Sequence, residues 1–317
     1  MDAEQLKTLR VAVLAGGWSD ERDISMQSGT QCRQALLDAG FAQVDLYDIA
    51  EKDFPQRFVA GGYDVAFPAL HGRYGEDGCI QGFLETLHIP YAFSGVLASA
   101  VATEKEFAKA VYRSAGIRAP RGFDMRPGTV LTEEQVDAVI QNLGLPLFVK
   151  PCCNGSSFGI SRVNSREELA AAIELAGSAG QRVLVEECIE GTEITVPVIG
   201  NDEPEALPVV EIAYDAEFYD LKVKYEPSAL HHIIPARFSP EVYALAQDMA
   251  CRAHKALGCR GCSRSDFIVT VAGEPIILET NTIPGMTASS LLPDSARHAG
   301  IEFPQLCTRF VELALEA

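Results

Sequence analysis

The sequence predicts a protein of mixed class, α/β at its N-terminal end and α+β beyond. Three observations predict it. Apolar strand patterns alternate with glycine-ended helical patterns over residues 1–103. A breaker cluster, Arg118-Ala119-Pro120-Arg121-Gly122, then introduces a smaller α+β stretch. Finally, two β-rich runs near the C-terminus are joined by Ala272-Gly273-Glu274, a hairpin turn pattern. With 317 residues the chain is long enough for two or three domains and a sizeable core.

Composition bounds the partners. A formal net charge of −18 argues against nucleic acid or an anionic membrane. The nine cysteines show no zinc-type pairing of C-x-x-C motifs, and an odd number cannot all pair within one chain. The start, Met1-Asp2-Ala3-Glu4-Gln5, is polar, and no apolar run approaches bilayer length. The expectation is a cytoplasmic protein with its cysteines as thiols.

In chain order, Val11 to Ala15 reads as a buried strand ended by Gly16-Gly17. Ser19 is the expected N-cap of a helix running through Met26 and Cys32 to Leu37 and stopping at Gly40. Glu21 falls in its first turn, where the helix dipole favours a carboxylate. A strand, a glycine turn and a helix N-terminus form a ligand platform, but without G-x-G-x-x-G, which disfavours NAD. Strands at Val44 to Tyr47 and Val65 to Leu70 follow. The glycine-rich loop His71 to Gly82 then leads into a helix at Phe83 to Leu87. His71 lies at a strand end, where open α/β sheets bind ligands. Tyr91 to Ala102 reads as a short strand and the start of a helix carrying Lys105.

Leu147 to Pro151 is a strand ending in Lys150, followed by the loop Cys152 to Ile160. Its small residues let backbone N–H groups close on a phosphate, with the Ser156 and Ser157 hydroxyls as added donors. The order is not that of a P-loop. Val183 to Ile189 is another strand, with Gly191-Thr192-Glu193 beyond it. Phe218 to Ala236, with Lys222, Lys224 and Tyr225, has the length and polarity of a lid or excursion. A helix closes at Arg252 to Leu257, and Pro304 to Leu315 is a last amphipathic helix.

The hairpin carries the chemistry. Strand side chains alternate faces, so Arg264 and Asp266 share one face, as do Glu279 and Asn281. If the two strands pair in that register, two carboxylates, an amide oxygen and a guanidinium converge, an oxygen donor set suited to Mg²⁺ shared with water and phosphate.

Taken together, these residues resemble the D-alanine–D-alanine ligases of the ATP-grasp superfamily along nearly the whole chain. The matching set, in order and spacing, is the His71–Gly82 loop, Lys150, the Gly/Ser loop, Glu186 to Ile189, Arg264, Asp266, Glu279, Asn281 and Gly285. The resemblance implies a three-lobed ATP-grasp architecture. A Rossmann-like N-terminal domain would span 1–103, a small central subdomain 104–194, and a C-terminal subdomain with lid and metal hairpin 195–317. It implies that ATP phosphorylates one D-alanine, and that the amine of a second attacks the acyl phosphate. Lys105, Lys150 and Lys224 would contact phosphates, Ser156 and Ser157 would cover them, and Glu186, Glu187, Ile189 and Glu193 would hold adenosine. Asp266, Glu279 and Asn281 would bind two Mg²⁺ or Mn²⁺. Arg264 and the Gly285 N–H would form an oxyanion hole, and Glu21 and His71 would hold the first D-alanine. Ser290 and Leu291 would bound the second. Ser156, Tyr225 and Glu21 would form a latching triad, and the assembly would be a homodimer. Tyr225 matches the dipeptide-forming type, while His231 and His232 keep a D-alanyl-D-lactate activity open. A different acceptor, or an ATP-binding regulator without turnover, are the alternatives.

Two positions depart from the family pattern. Ser265 and Thr280 replace aliphatic residues on the face opposite the metal ligands, which predicts that their hydroxyls answer each other across the hairpin, directly or through one water, the alternative being that each bonds a backbone carbonyl. Cys152-Cys153 also replaces more polar residues, and free thiols are expected there.

Overall fold

A computed structural model describes residues 2–153, 159–178, 180–214 and 230–316. Ser156, Ser157, Lys222, Lys224 and Tyr225 lie outside them. The chain opens with α1 (Ala3–Lys7), capped by the Asp2 carboxylate, and enters β1 (Arg10–Ala15). Then come α2 (Arg22–Asp38), β2 (Gln43–Asp48), α3 (Phe54–Gly61), β3 (Val65–Pro68) and α4 (Cys79–Thr86). The three strands form a parallel sheet in the order β2-β1-β3, as alternating strands and helices dictate. β1 is buried from Val11 to Ala15, a continuous apolar run typical of a parallel sheet covered on both faces.

Local corrections concern where helices begin. Ser19 does not cap α2. The N-cap is Glu21, with no side-chain cap, and Ser19 Oγ instead donates to the His71 carbonyl at 2.7 Å. The helix expected at Phe83 begins earlier, at Cys79, because Gly78 at φ 93° supplies the turn into it. The stretch from Tyr91 contributes one parallel bridge to Ala66, then two helices rather than one: α5 (Val96–Thr103) and α6 (Lys105–Ser114). Glu104, at ψ 97°, breaks them, so Lys105 becomes the first residue of α6.

The second sheet holds β4 (Gly122–Met125), β5 (Leu147–Pro151), β6 (Ser161–Val163) and β7 (Val183–Glu187), ordered β4-β7-β5-β6. Its helices are α7 (Glu133–Leu143) and α8 (Leu169–Gly177), and its core is built on Leu147, Val149, Val185 and Ile173. The third sheet contains β8 (Gly191–Ile199), β9 (Glu205–Ala206), β10 (Val210–Tyr214) and β11 (Leu230–Ile233). After α9 (Pro240–Leu257) it is completed by β12 (Cys262–Thr270) and β13 (Pro275–Asn281). Its order is β11-β10-β8-β12-β13, with β9 beside β8. α10 (Leu291–His298) and α11 (Phe303–Glu316) end the chain.

Packing cuts across the expected segment borders. α5, α6 and α9 share a core with the third sheet, where Ala102, Ala108 and Tyr112 cluster with Val196, Phe267 and Ile277. The expected border at 194/195 falls inside β8, which runs unbroken from Gly191 to Ile199. α11 returns to the N-terminal layer, setting Phe310 against Phe67 and Phe93 at centroid distances of 6.5 and 5.1 Å. Burying one such ring contributes about 1.5–3 kcal/mol, enough to fix where an amphipathic helix docks.

Candidate active site

β12 and β13 pair antiparallel with Arg264 opposite Asn281, Ser265 opposite Thr280, and Asp266 opposite Glu279. The register slips after Asp266, so Phe267 meets Ile277 and Leu278 is the extra residue. Bulges of this kind re-aim neighbouring side chains. On one face Arg264 grips Asp266 with both ends of its fork, Nε and Nη2 donating at 2.9 and 2.8 Å. Thr195 from β8 donates to the same carboxylate, and Asn281 Nδ2 lies 3.4 Å from its other oxygen. Glu279 faces Lys105 Nζ at 3.0 Å. Burial pushes the Glu279 carboxyl up, but Lys105, with Lys150 and Arg264 beyond it, outweighs this and holds it well below the usual carboxylate range. Glu76, Thr103, Lys105, Glu279, Asn281 and Thr282 line a cleft at this end of the hairpin.

On the opposite face the expected contact is present. Ser265 Oγ and Thr280 Oγ1 are 2.8 Å apart, and both are buried. Tyr112 on α6 adds a third hydroxyl, donating to Thr280 at 2.8 Å. The helix that carries Lys105 is thus bonded to the strand that carries Glu279.

Lys150, at the end of β5, and Lys109, one helical turn after Lys105, both contact the Glu186 carboxylate on β7. For Glu186, burial raises the carboxyl, and the two lysines more than reverse it. For Lys109, burial dominates and the ammonium is pushed down. Glu187 is engaged by Arg121, whose backbone N and Nε donate at 2.9 and 2.8 Å. Ile189 is half-buried just past β7, and Glu193 sits on β8 opposite Ile268.

The N-terminal layer brings its own groups to the strand ends. Ser25 Oγ accepts from Gly16 N at 2.9 Å and donates to the Ala69 carbonyl at 2.7 Å, tying the ends of β1 and β3 to α2. His71 is buried, with Nε2 3.2 Å from Ser28 Oγ and Nδ1 3.5 Å from Glu76. Gly72 has φ 71°, and a Cβ there would lie 3.0 Å from Ser19 Cβ and 3.2 Å from Glu21 Oε2. Glu21 and the His71 loop therefore approach closely. Ser290 lies just ahead of α10, its Oγ accepting from Thr287 N at 3.2 Å, and Leu291 opens the helix. A Cβ on Gly285 would meet Ser290 Oγ at 3.0 Å. Cys152 and Cys153 are free thiols that burial pushes up to about 11 and about 12.

Lys109, Tyr112 and Thr195 escape a reading of the sequence, although Lys105-x-x-x-Lys109 is an i, i+4 pair on one helix face. The signal was present; the partners that give it meaning lie on other strands.

The model of the D-ala D-ala ligase N-terminus matches residues 48–94, and that of the D-ala D-ala ligase C-terminus matches residues 111–312. The chain belongs to the D-alanine–D-alanine ligase family. A D-alanine–D-alanine ligase of Pelotomaculum thermopropionicum is 45% identical over 312 residues, covering 98% of each chain. That of Syntrophobacter fumaroxidans is 48% identical over 315 residues, covering 97% of this chain and 98% of its own. The D-alanine–D-alanine ligase of Bacillus anthracis complexed with ATP superposes with a TM-score of 0.84 at 31% identity, over 98% of both chains. The ATP-grasp fold is thereby established for this chain.

The donor set fits the metal that this ligase family implies. Among the described residues no three His, Cys, Asp or Glu side chains cluster as a metal site. Asp266 and Glu279 instead supply two carboxylates on one face, with Asn281 beside them. Mg²⁺ needs no more from protein when it shares substrate phosphates and water.

Proposed function

We propose that this chain ligates two D-alanines to D-alanyl-D-alanine at the expense of ATP, through an acyl phosphate, for peptidoglycan precursors. The observation that carries the reading is the convergence of Arg264, Asp266, Glu279 and Asn281 with Lys105 from α6. Binding alone does not require a guanidinium beside the carboxylates; stabilising charge that develops on an acyl oxygen does. Lys105 and Lys150 balance the charge of the nucleotide's phosphates. Asp266, Glu279 and Asn281 would hold two Mg²⁺ or Mn²⁺, which neutralise the polyphosphate and orient the transferred group when bound. Glu21, beside the His71 loop, pairs with the ammonium of the first D-alanine, and the carboxylate of that D-alanine takes the γ-phosphoryl as ADP departs. The amine of the second D-alanine, bounded by Ser290 and Leu291, then attacks. Arg264 and the Gly285 N–H hold the oxyanion until phosphate leaves and the amide forms. Ser156, Ser157, Lys224 and Tyr225 cover the phosphates in this reading, and Glu186, Glu187, Ile189 and Glu193 surround the adenosine.

Turnover tests the proposal. ATP and D-alanine together should yield ADP, phosphate and a product of dipeptide mass, without D-lactate. Phosphate release only with D-lactate present would identify an ester-forming enzyme; ATP binding without turnover across D-amino acids would identify a regulator. Of the two histidines that keep the ester reading open, His232 is bonded to Asp294 at 2.9 Å, which supports the dipeptide as far as that residue is concerned. No helix among the described residues is long and apolar enough to cross a membrane. The family resemblance supports a cytoplasmic homodimer, testable by sedimentation.

A further inference from the structure

We propose that Lys109 is a positioning residue for the nucleotide, keeping Glu186 charged and in place so that Lys150 can leave that carboxylate for a phosphate. The inference rests on the reading of Lys150 as a phosphate contact. Glu186 is 3% exposed and touches two ammonium groups. The two are not equivalent. The Lys109 side chain is 1% exposed, on a helix whose neighbouring Ala108 and Tyr112 are packed into the C-terminal core. The Lys150 side chain is 12% exposed, at the end of β5 where the Cys152 loop begins. Lys150 is therefore the one of the pair that has room to turn toward a ligand.

A buried carboxylate left without any cation is strongly disfavoured, so a lysine that was its sole partner would resist transfer to a phosphate. With Lys109 in place, Glu186 keeps one buried ammonium when Lys150 departs. The pair also joins α6 to β7, two elements that belong to different cores. Lys109 thus acts at a distance from ATP, by lowering the cost of releasing Lys150.

The experiment measures ATP binding to the full chain by calorimetry in Mg²⁺ buffer, beside KM for ATP and for D-alanine. The variants are Lys109→Met, Lys150→Met, Glu186→Gln and Lys109→Met/Glu186→Gln. Lys150→Met should weaken ATP binding; if it does not, the reading of Lys150 itself fails. Lys109→Met should weaken ATP binding and raise its KM by about ten- to a hundredfold, the loss expected for one charge-assisted bond, and leave KM for D-alanine within about twofold. In the Glu186→Gln background Lys109→Met should change ATP affinity little, because the carboxylate it serves is gone. The double variant buries neither charge, and in Glu186→Gln burial already pushes the Lys109 ammonium toward its neutral form, so this pair remains informative if Lys109→Met alone fails to fold. The proposal is overturned if Lys109→Met leaves ATP affinity intact while Lys150→Met weakens it. Equal weakening in both backgrounds also overturns it.

Discussion

Replacing Thr280 by valine removes one oxygen and almost no volume, so it isolates the hydroxyl chain behind the face that carries Asp266 and Glu279. In the wild-type protein Tyr112 donates to Thr280 at 2.8 Å, and Thr280 lies 2.8 Å from Ser265. Tyr112 and Ser265 are fully buried, and Thr280 is 3% exposed. The valine would strand two hydroxyls away from water. An unsatisfied buried hydroxyl costs about 1–3 kcal/mol, and a serine can rotate toward a backbone carbonyl, so the expected loss is about 2–4 kcal/mol. Removing all three hydroxyls, as Tyr112→Phe/Ser265→Ala/Thr280→Val, takes away the demand together with the supply. The triple variant should therefore be more stable than Thr280→Val alone, against the usual rule that substitutions accumulate damage. Urea unfolding followed by circular dichroism gives both values. A loss under about 0.5 kcal/mol for Thr280→Val, or a triple variant no more stable than the single, refutes the reasoning.

Three further predictions follow from the same geometry. Arg264→Met should lower kcat by about 10²–10³ with the fold intact, the usual loss for one donor to a developing oxyanion; unchanged kcat would remove Arg264 from that role. His254 is buried against Ser263 at 2.8 Å, and burial pushes its imidazole down to about 4 from 6.5. The unfolded chain takes up that proton near pH 6.5 and the folded chain only near 4. Stability is therefore whole above pH 6.5 and falls as the pH drops toward 4, by up to about 3 kcal/mol. In urea titrations across that range, His254→Gln should flatten part of the slope, and an unchanged slope would exclude this group. Finally, Cys152 and Cys153 are pushed up to about 11 and about 12, so both stay protonated at neutral pH. Iodoacetamide at pH 7.5 should leave activity intact over the time a free thiol of ordinary pKa is consumed; rapid inactivation that ATP prevents would contradict it.

The sequence by itself determined what depends on alternation along one strand. Arg264 and Asp266 had to share a face of one strand, Glu279 and Asn281 a face of the other, with Ser265 and Thr280 each on the opposite face of its own strand, because strand side chains repeat every two residues; the register that sets the two strands against each other came from the structure. The hydroxyl contact between Ser265 and Thr280 was legible for the same reason. Alternation says nothing about what a neighbouring element brings. That Tyr112 completes the hydroxyl chain, that Lys105 answers Glu279, and that Lys109 and Lys150 share Glu186 depend on how α6 is wedged between two sheets. Ser19 illustrates the same limit from the other side. Its position suits a helix cap, yet the carbonyl of His71, distant in sequence, claims its hydroxyl, and Glu21 takes the cap position. Likewise α11 was recognisable as amphipathic, but its return to Phe67 and Phe93 of the N-terminal layer is a choice among apolar surfaces. Burial of apolar area is non-directional, so only the assembled chain selects which surfaces meet.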